Sequence, residues 1–247
     1  MSSPAVTATE QPYLFFGVVL PERAQISFES EVEFEQSESG WRGRVKISVV
    51  LNQVAVWVDS EHAWDIFTLR NIVKNIVGNE LAMLGYLKGY AHDLEVTRVL
   101  NRSRGIDYVF GIDIPCLSRV SQPEELATSM SSLRGKASGR DGVFLLRSLR
   151  DLVSAMKEAD DTGFYCYRAI ESLRSHCAAI HGLMDADRSV QWRKFREVAG
   201  AEEPRLLAIK AAADPLRHGG LTTMDAAGRE KLLLETWSVV DGYLMAL

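Results

Sequence analysis

Cysteine is scarce in this chain, and what there is stands far apart. Cys116, Cys166 and Cys177 are odd in number, with no C-x-x-C pair among them. That argues against a paired-cysteine zinc site and a disulfide framework. No run of about 18 apolar residues occurs, and no charged leader followed by an apolar stretch opens the chain. The sequence therefore predicts a cytoplasmic protein without a membrane partner. Also missing are a Walker-type loop, a G-x-G-x-x-G after a strand, a G-x-S-x-G elbow and an H-E-x-x-H pair. His62 and His92 form no convincing ligand set with carboxylates, so neither metal nor cofactor is expected. A strong excess of one charge is absent too. The net charge is −5, with 11 basic against 15 acidic residues over 1–120 and 17 against 18 over 121–247. A near-neutral second half tolerates RNA better than an acidic one would.

What is present is enough apolar material for a core. The 247 residues are 47% hydrophobic, which suits one large domain or two small ones. Residues 1–12 are small and polar and read as a disordered tail. Tyr13 to Leu20 is an apolar strand ended by Pro21. Ile26, Phe28, Ser30, Val32 and Phe34 then alternate with Ser27, Glu29, Glu31, Glu33 and Glu35, which predicts a half-buried strand with an acidic, solvated face. After a turn at Ser37 to Gly40, Trp41, Gly43, Val45, Ile47, Val49 and Leu51 alternate with Arg42, Arg44 and Lys46. The basic face can pair with the glutamates across the hairpin. Asn52-Gln53 reads as the next turn and Val54 to Val58 as a third meander strand. Trp64 to Ala91 reads as one long helix, or two joined near Gly78, with helical spacing through Ile66, Leu69, Val73, Ile76, Leu81, Leu84 and Leu87. Gly85-x-x-x-Gly89 in it suggests close approach of a neighbouring sheet or helix. Leu94 to Leu100 and Tyr108 to Ile114 complete an α+β unit over 13–117.

Residues 118–124 read as the linker, because only helical patterns follow. Over 124–247 the spacing of three and four predicts a helical bundle. The helices centre on 123–133, on Leu145 to Met156, on Cys166 to Ile180, on Trp192 and Phe195, on Leu206 to Leu216 and on Leu233 to Leu244. The last is started by Thr223 or Asp225. Cys166 and Cys177 fall on an apolar stripe and read as small core residues.

One stretch gathers chemistry: Asp214-Pro215-Leu216-Arg217-His218-Gly219-Gly220. Pro215 disfavours helical geometry at Asp214, which predicts Asp214 as the N-cap of a new short turn closed by Gly219 or Gly220. Arg217 brings a fixed cation and His218 a group that titrates near neutrality. The same two residues at a helix end can instead serve the last carbonyls. A second pair is Arg174 and His181, two helical turns apart on one face, with His176 nearby. Glu171, three residues from Arg174, offers a plain salt pair.

Three segments carry a family resemblance: Tyr167-Arg168-Ala169-Ile170-Glu171, Trp192-Arg193-Lys194-Phe195 and Ala213-x3-Arg217-His218-Gly219. Together they resemble the C-terminal part of bacterial proteins with HEPN-like domains, including abortive-infection-like and methylamine-utilisation-associated groups. The resemblance spans 124–247. It implies a helical bundle that forms a homodimer. It also implies a metal-independent ribonuclease or RNA-binding effector in a toxin or phage-defence setting; other members of the family bind nucleotides or partners without catalysis. Active members carry R-x4–6-H, where the His acts as base on the ribose 2′-OH and the Arg steadies phosphate charge. In this chain Arg217 and His218 are adjacent, and the spacing is met by Arg174 and His181. On the resemblance, His218 and Arg217 are the expected catalytic pair, with Arg174 and His181 the alternative. Arg193, Lys194 and Arg196 would position RNA phosphates. The other reading is a non-catalytic interaction or dimerisation protein in which Arg217 and His218 are structural.

Overall fold

The computed structural model describes residues 12–35, 40, 42–60, 62–118, 125–220 and 224–247. Most of the expected tail, the turn at Ser37 to Gly40 except Gly40, Trp41, the linker beyond Ser118 and Thr223 lie outside these. Two compact units divide between Ile112 and Asp113.

The first unit is an antiparallel sheet with one helix. Its strands are β1 (Tyr13–Leu20), β2 (Phe28–Glu35), β3 (Arg42–Val50), β4 (Gln53–Asp59), β5 (Asp93–Asn101) and β6 (Ile106–Val109). They lie in the order β2-β3-β4-β1-β5-β6. The alternation read from the sequence sets the register. Val56 is opposite Ile47 on one side and Phe15 on the other, so a row of apolar side chains crosses the middle strands. Helix α1 (Ile66–Lys88) adds Leu69, Val73, Val77 and Leu81 to that core. On the exposed face of the β2–β3 pair, Glu31 faces Lys46, Glu33 faces Arg44 and Glu35 faces Arg42. Arg42 reaches Glu35 at 3.0 Å and Arg44 reaches Glu31 at 3.5 Å.

Several local features depart from the sequence pattern. The turn after β3 is Leu51-Asn52, both at positive φ, so Gln53 already belongs to β4 and Leu51 is exposed rather than inward. Asn tolerates that geometry. Buried Asn52 also accepts from the Ile26 N–H at 2.8 Å and donates to the Pro21 carbonyl at 3.3 Å. In α1 the buried stripe steps by four residues and leaves Leu87 exposed. Gly85 is not approached by another element. A Cβ there would meet the Tyr90 carbonyl at 2.5 Å, in the helix's own closing turn. Finally, β6 starts at Ile106 and stops at Val109, earlier and shorter than Tyr108 to Ile114.

The second unit is helical, as its spacing predicts. It contains α2 (Pro115–Ser118), α3 (Leu126–Lys136), α4 (Gly142–Lys157), α5 (Thr162–Ile180), α6 (Arg188–Ala199), α7 (Glu203–Arg217) and α8 (Ala226–Met245). Helix α5 is central and touches α4, α6, α7 and α8. Its Cys166, Ile170, Leu173 and Cys177 are buried with Leu145, Phe195, Ile209, Leu233 and Tyr243. At the start of α8, Asp225 accepts from the Gly228 N–H at 2.7 Å, the expected cap.

Candidate functional site

The Asp214 to Gly220 stretch is not a separate turn. Helix α7 runs through Pro215 to Arg217, with Asp214 inside it. A proline ring removes one N–H but keeps a helical φ, and buried Ala213 holds the last turn against the core. The closure is as the glycines suggest. Gly219 is left-handed at φ 75°, Gly219 N–H donates to the Leu216 carbonyl at 3.2 Å, and Gly220 N–H donates to the Pro215 carbonyl at 2.8 Å.

Arg217 and His218 part ways at this helix end. Arg217 pairs with Asp214 at 3.6 Å, and its guanidinium carbon sits 5.4 Å from the centre of the Tyr167 ring. His218 caps α7 through its backbone N–H, which donates to the Pro215 carbonyl at 3.2 Å, and the residue is exposed. Its imidazole has no partner among the described residues.

The second pair is also separated. Arg174 is only 9% exposed. Its Nη2 donates to Ser175 Oγ at 3.1 Å, while Nε and Nη1 are buried without a hydrogen-bond partner among the described residues. The guanidinium lies over Trp192, 5.4 Å from the ring centre, so the π face stands in for conventional acceptors. Burial, then Arg188, lowers its pKa. His181 caps α5 and is exposed, with Nδ1 2.9 Å from the Cys177 carbonyl. That geometry calls for a proton on Nδ1 and leaves Nε2 to solvent. Arg174 and His181 thus bond to different groups, and nothing draws them together. His176 is buried and points elsewhere, its Nδ1 2.7 Å from the Tyr243 hydroxyl. Burial pushes the Cys166 thiol up to about 11, in keeping with an inert core residue.

Of the expected phosphate-binding cations, two are already engaged. Lys194 pairs with Glu197 at 2.9 Å and Arg196 with Glu203 at 3.4 Å. Arg193 is exposed and has no partner among the described residues. No group of three or more His, Cys, Asp or Glu able to hold a metal occurs among the described residues.

The arrangement that the sequence does not announce is a cation–aromatic cluster. Tyr167 and Trp192 stack at 6.2 Å and 18°, Arg217 covers Tyr167, and Arg174 covers Trp192. One signal for it exists: Tyr167 and Arg174 are two turns apart, so they share a face of α5. A second hidden feature is buried Asp151, paired with Arg168 Nη2. Asp151 Oδ2, Ser148 Oγ and Arg168 Nε beside it have no hydrogen-bond partner among the described residues.

Fold and side chains thus define a two-unit α+β protein with a cation–aromatic cluster in its helical unit. Residues 13–110 match the family model described as domain of unknown function (DUF8168) N-terminal domain. Residues 130–247 match the one described as domain of unknown function (DUF8168) C-terminal domain. The chain therefore matches both domains of one family, in order. No curated protein and no solved structure matches it. Among the described residues no helix is long and apolar enough to cross a membrane.

Proposed function

We propose that this is a non-catalytic interaction protein of the cytoplasm, with a HEPN-like helical bundle in which Arg217 and His218 are structural. The observation that carries this reading is the commitment of Arg217. Its guanidinium is engaged on one side by Asp214 and on another by the Tyr167 ring. His218 contributes a backbone cap. An exposed apolar stripe on α4, Val143, Leu146 and Val153, supports a protein partner, and a second copy of the chain is the first to test.

RNA cleavage is the second reading. What favours it is that the His218 residue is exposed, and that neither its ring nor Arg193 has a partner among the described residues. Labelled RNA incubated in EDTA with wild type and with His218→Ala separates the two. Interaction alone gives no His218-dependent cleavage. EDTA-resistant cleavage that disappears in His218→Ala would sink the non-catalytic reading. Sedimentation velocity on the same samples tests self-association: a dimer broken by Leu146→Glu is expected, and a monomer at every concentration would remove the second copy as partner.

A further inference from the structure

Between α5, α6 and α7 lies a cavity of about 280 Å³ that neither Arg–His pair uses. Its apolar lining comes from Tyr167, Trp192, Leu206 and Leu207. Tyr167 and Trp192 are stacked on each other and braced by Arg217 and Arg174, so that wall is stiff. Leu206 is buried, but Leu207 is 56% exposed at the rim. A large apolar side chain at the mouth of an aromatic cavity is surface that a ligand would cover.

The polar lining is unequal. Arg196 and Glu203 neutralise each other at 3.4 Å. Lys210 has no ion-pair or hydrogen-bond partner among the described residues. Glu203, Leu206, Leu207 and Lys210 follow one another at i, i+3, i+4 and i+7 on α7, so apolar surface separates the neutral pair from the lone cation. The Ser189 hydroxyl, from the first turn of α6, adds one hydrogen-bonding group.

Size and charge together narrow the occupant. Drug-sized ligands take pockets of about 300–1,000 Å³. This cavity lies just below that range, which suits one ring system with a short arm. One uncommitted cation matches a single negative charge; a phosphate dianion would be left half compensated. The aromatic wall favours a planar body in offset or edge contact. We infer that the α5–α6–α7 cavity binds a small aromatic carboxylate, with its ring against Trp192 and Tyr167 and its carboxylate on Lys210. This holds whether or not His218 is catalytic, because no residue of either Arg–His pair lines the cavity.

Titration calorimetry on the full chain tests it, with phenylacetate and indole-3-acetate as probes and phenylacetamide and phenyl phosphate as controls. One equivalent of carboxylate is expected to bind. The neutral amide should bind about tenfold more weakly, as befits loss of one charge-assisted contact. Lys210→Met should erase the preference for acid over amide. Leu207→Trp, at an exposed position, should block binding without changing the thermal unfolding of the protein. No binding of either acid at millimolar concentration would overturn the assignment. So would equal binding of acid and amide, tighter binding of phenyl phosphate, or an unchanged preference in Lys210→Met.

Discussion

His176 shows how a single side chain ties the helical unit to pH. It is buried on α5, and its Nδ1 lies 2.7 Å from the Tyr243 hydroxyl of α8. Burial lowers its pKa, with Asp141 opposing in part. A depressed pKa means that the unfolded chain takes up a proton more readily than the folded one. The contribution to stability is therefore full above the ordinary histidine value of about 6.5 and is lost as pH falls through the lowered folded value. Urea unfolding should give a lower midpoint at pH 5 than at pH 7.5, and His176→Gln should reduce that dependence. Tyr243→Phe should cost about 1–3 kcal/mol by leaving a buried imidazole nitrogen unpaired. A midpoint in wild type that does not move with pH would refute this account. Sequence pattern places His176 on the right helix but does not show its partner, which stands 67 positions away. Distance in sequence also hides the Tyr167–Trp192–Arg174–Arg217 cluster. Each member is legible as a helix residue; which faces meet is decided by packing.

The helices and strands themselves are largely written in the pattern of apolar residues. The β2 and β3 alternation predicts both the pleat and the facing charges, because a strand's period of two leaves little choice. The errors fall where local chemistry competes with context. Pro215 suggests a break, yet α7 carries it within its last turn, at the loss of the one bond that residue 215 would donate to the Ala211 carbonyl. Leu51 looks inward by alternation, but the turn claims it. Close helix packing is a further feature that no pattern reveals. A Cβ on Gly163 of α5 would stand 2.4 Å from the Ala212 carbonyl of α7. Gly163→Ala should therefore force the two backbones apart and destabilise by about 1–3 kcal/mol. Thermal unfolding of Gly163→Ala against Gly135→Ala, where a Cβ meets nothing within 4 Å, reads the effect. Equal melting temperatures for the two variants would contradict it.

Each unit of the chain has a hydrophobic core of its own. Phe15, Val56 and Val73 belong to the cluster made by the sheet and α1. Leu145, Ile170 and Phe195 belong to the cluster made by the helical unit. Separate cores predict separate folding. A fragment of residues 113–247 should keep the helical circular dichroism of its part of the chain and melt in one cooperative transition. A fragment without a cooperative transition would show that the helical unit depends on the sheet. Length and the change of period near residue 118 make two units legible from sequence. Neither feature indicates what the helical unit holds, because the cavity between α5, α6 and α7 arises from three segments that carry no shared motif.

Strand β2 forms one border of the sheet, and three of its glutamates, Glu31, Glu33 and Glu35, face the β3 cations. They also act as a guard. A border strand offers unpaired backbone groups to any other extended chain. If two copies of this protein met along β2, Glu29, Glu31, Glu33 and Glu35 of one would be set against the same residues of the other, and like charges placed opposite each other repel. The charge pattern that holds the hairpin together thus also discourages the sheet from growing from one molecule into the next.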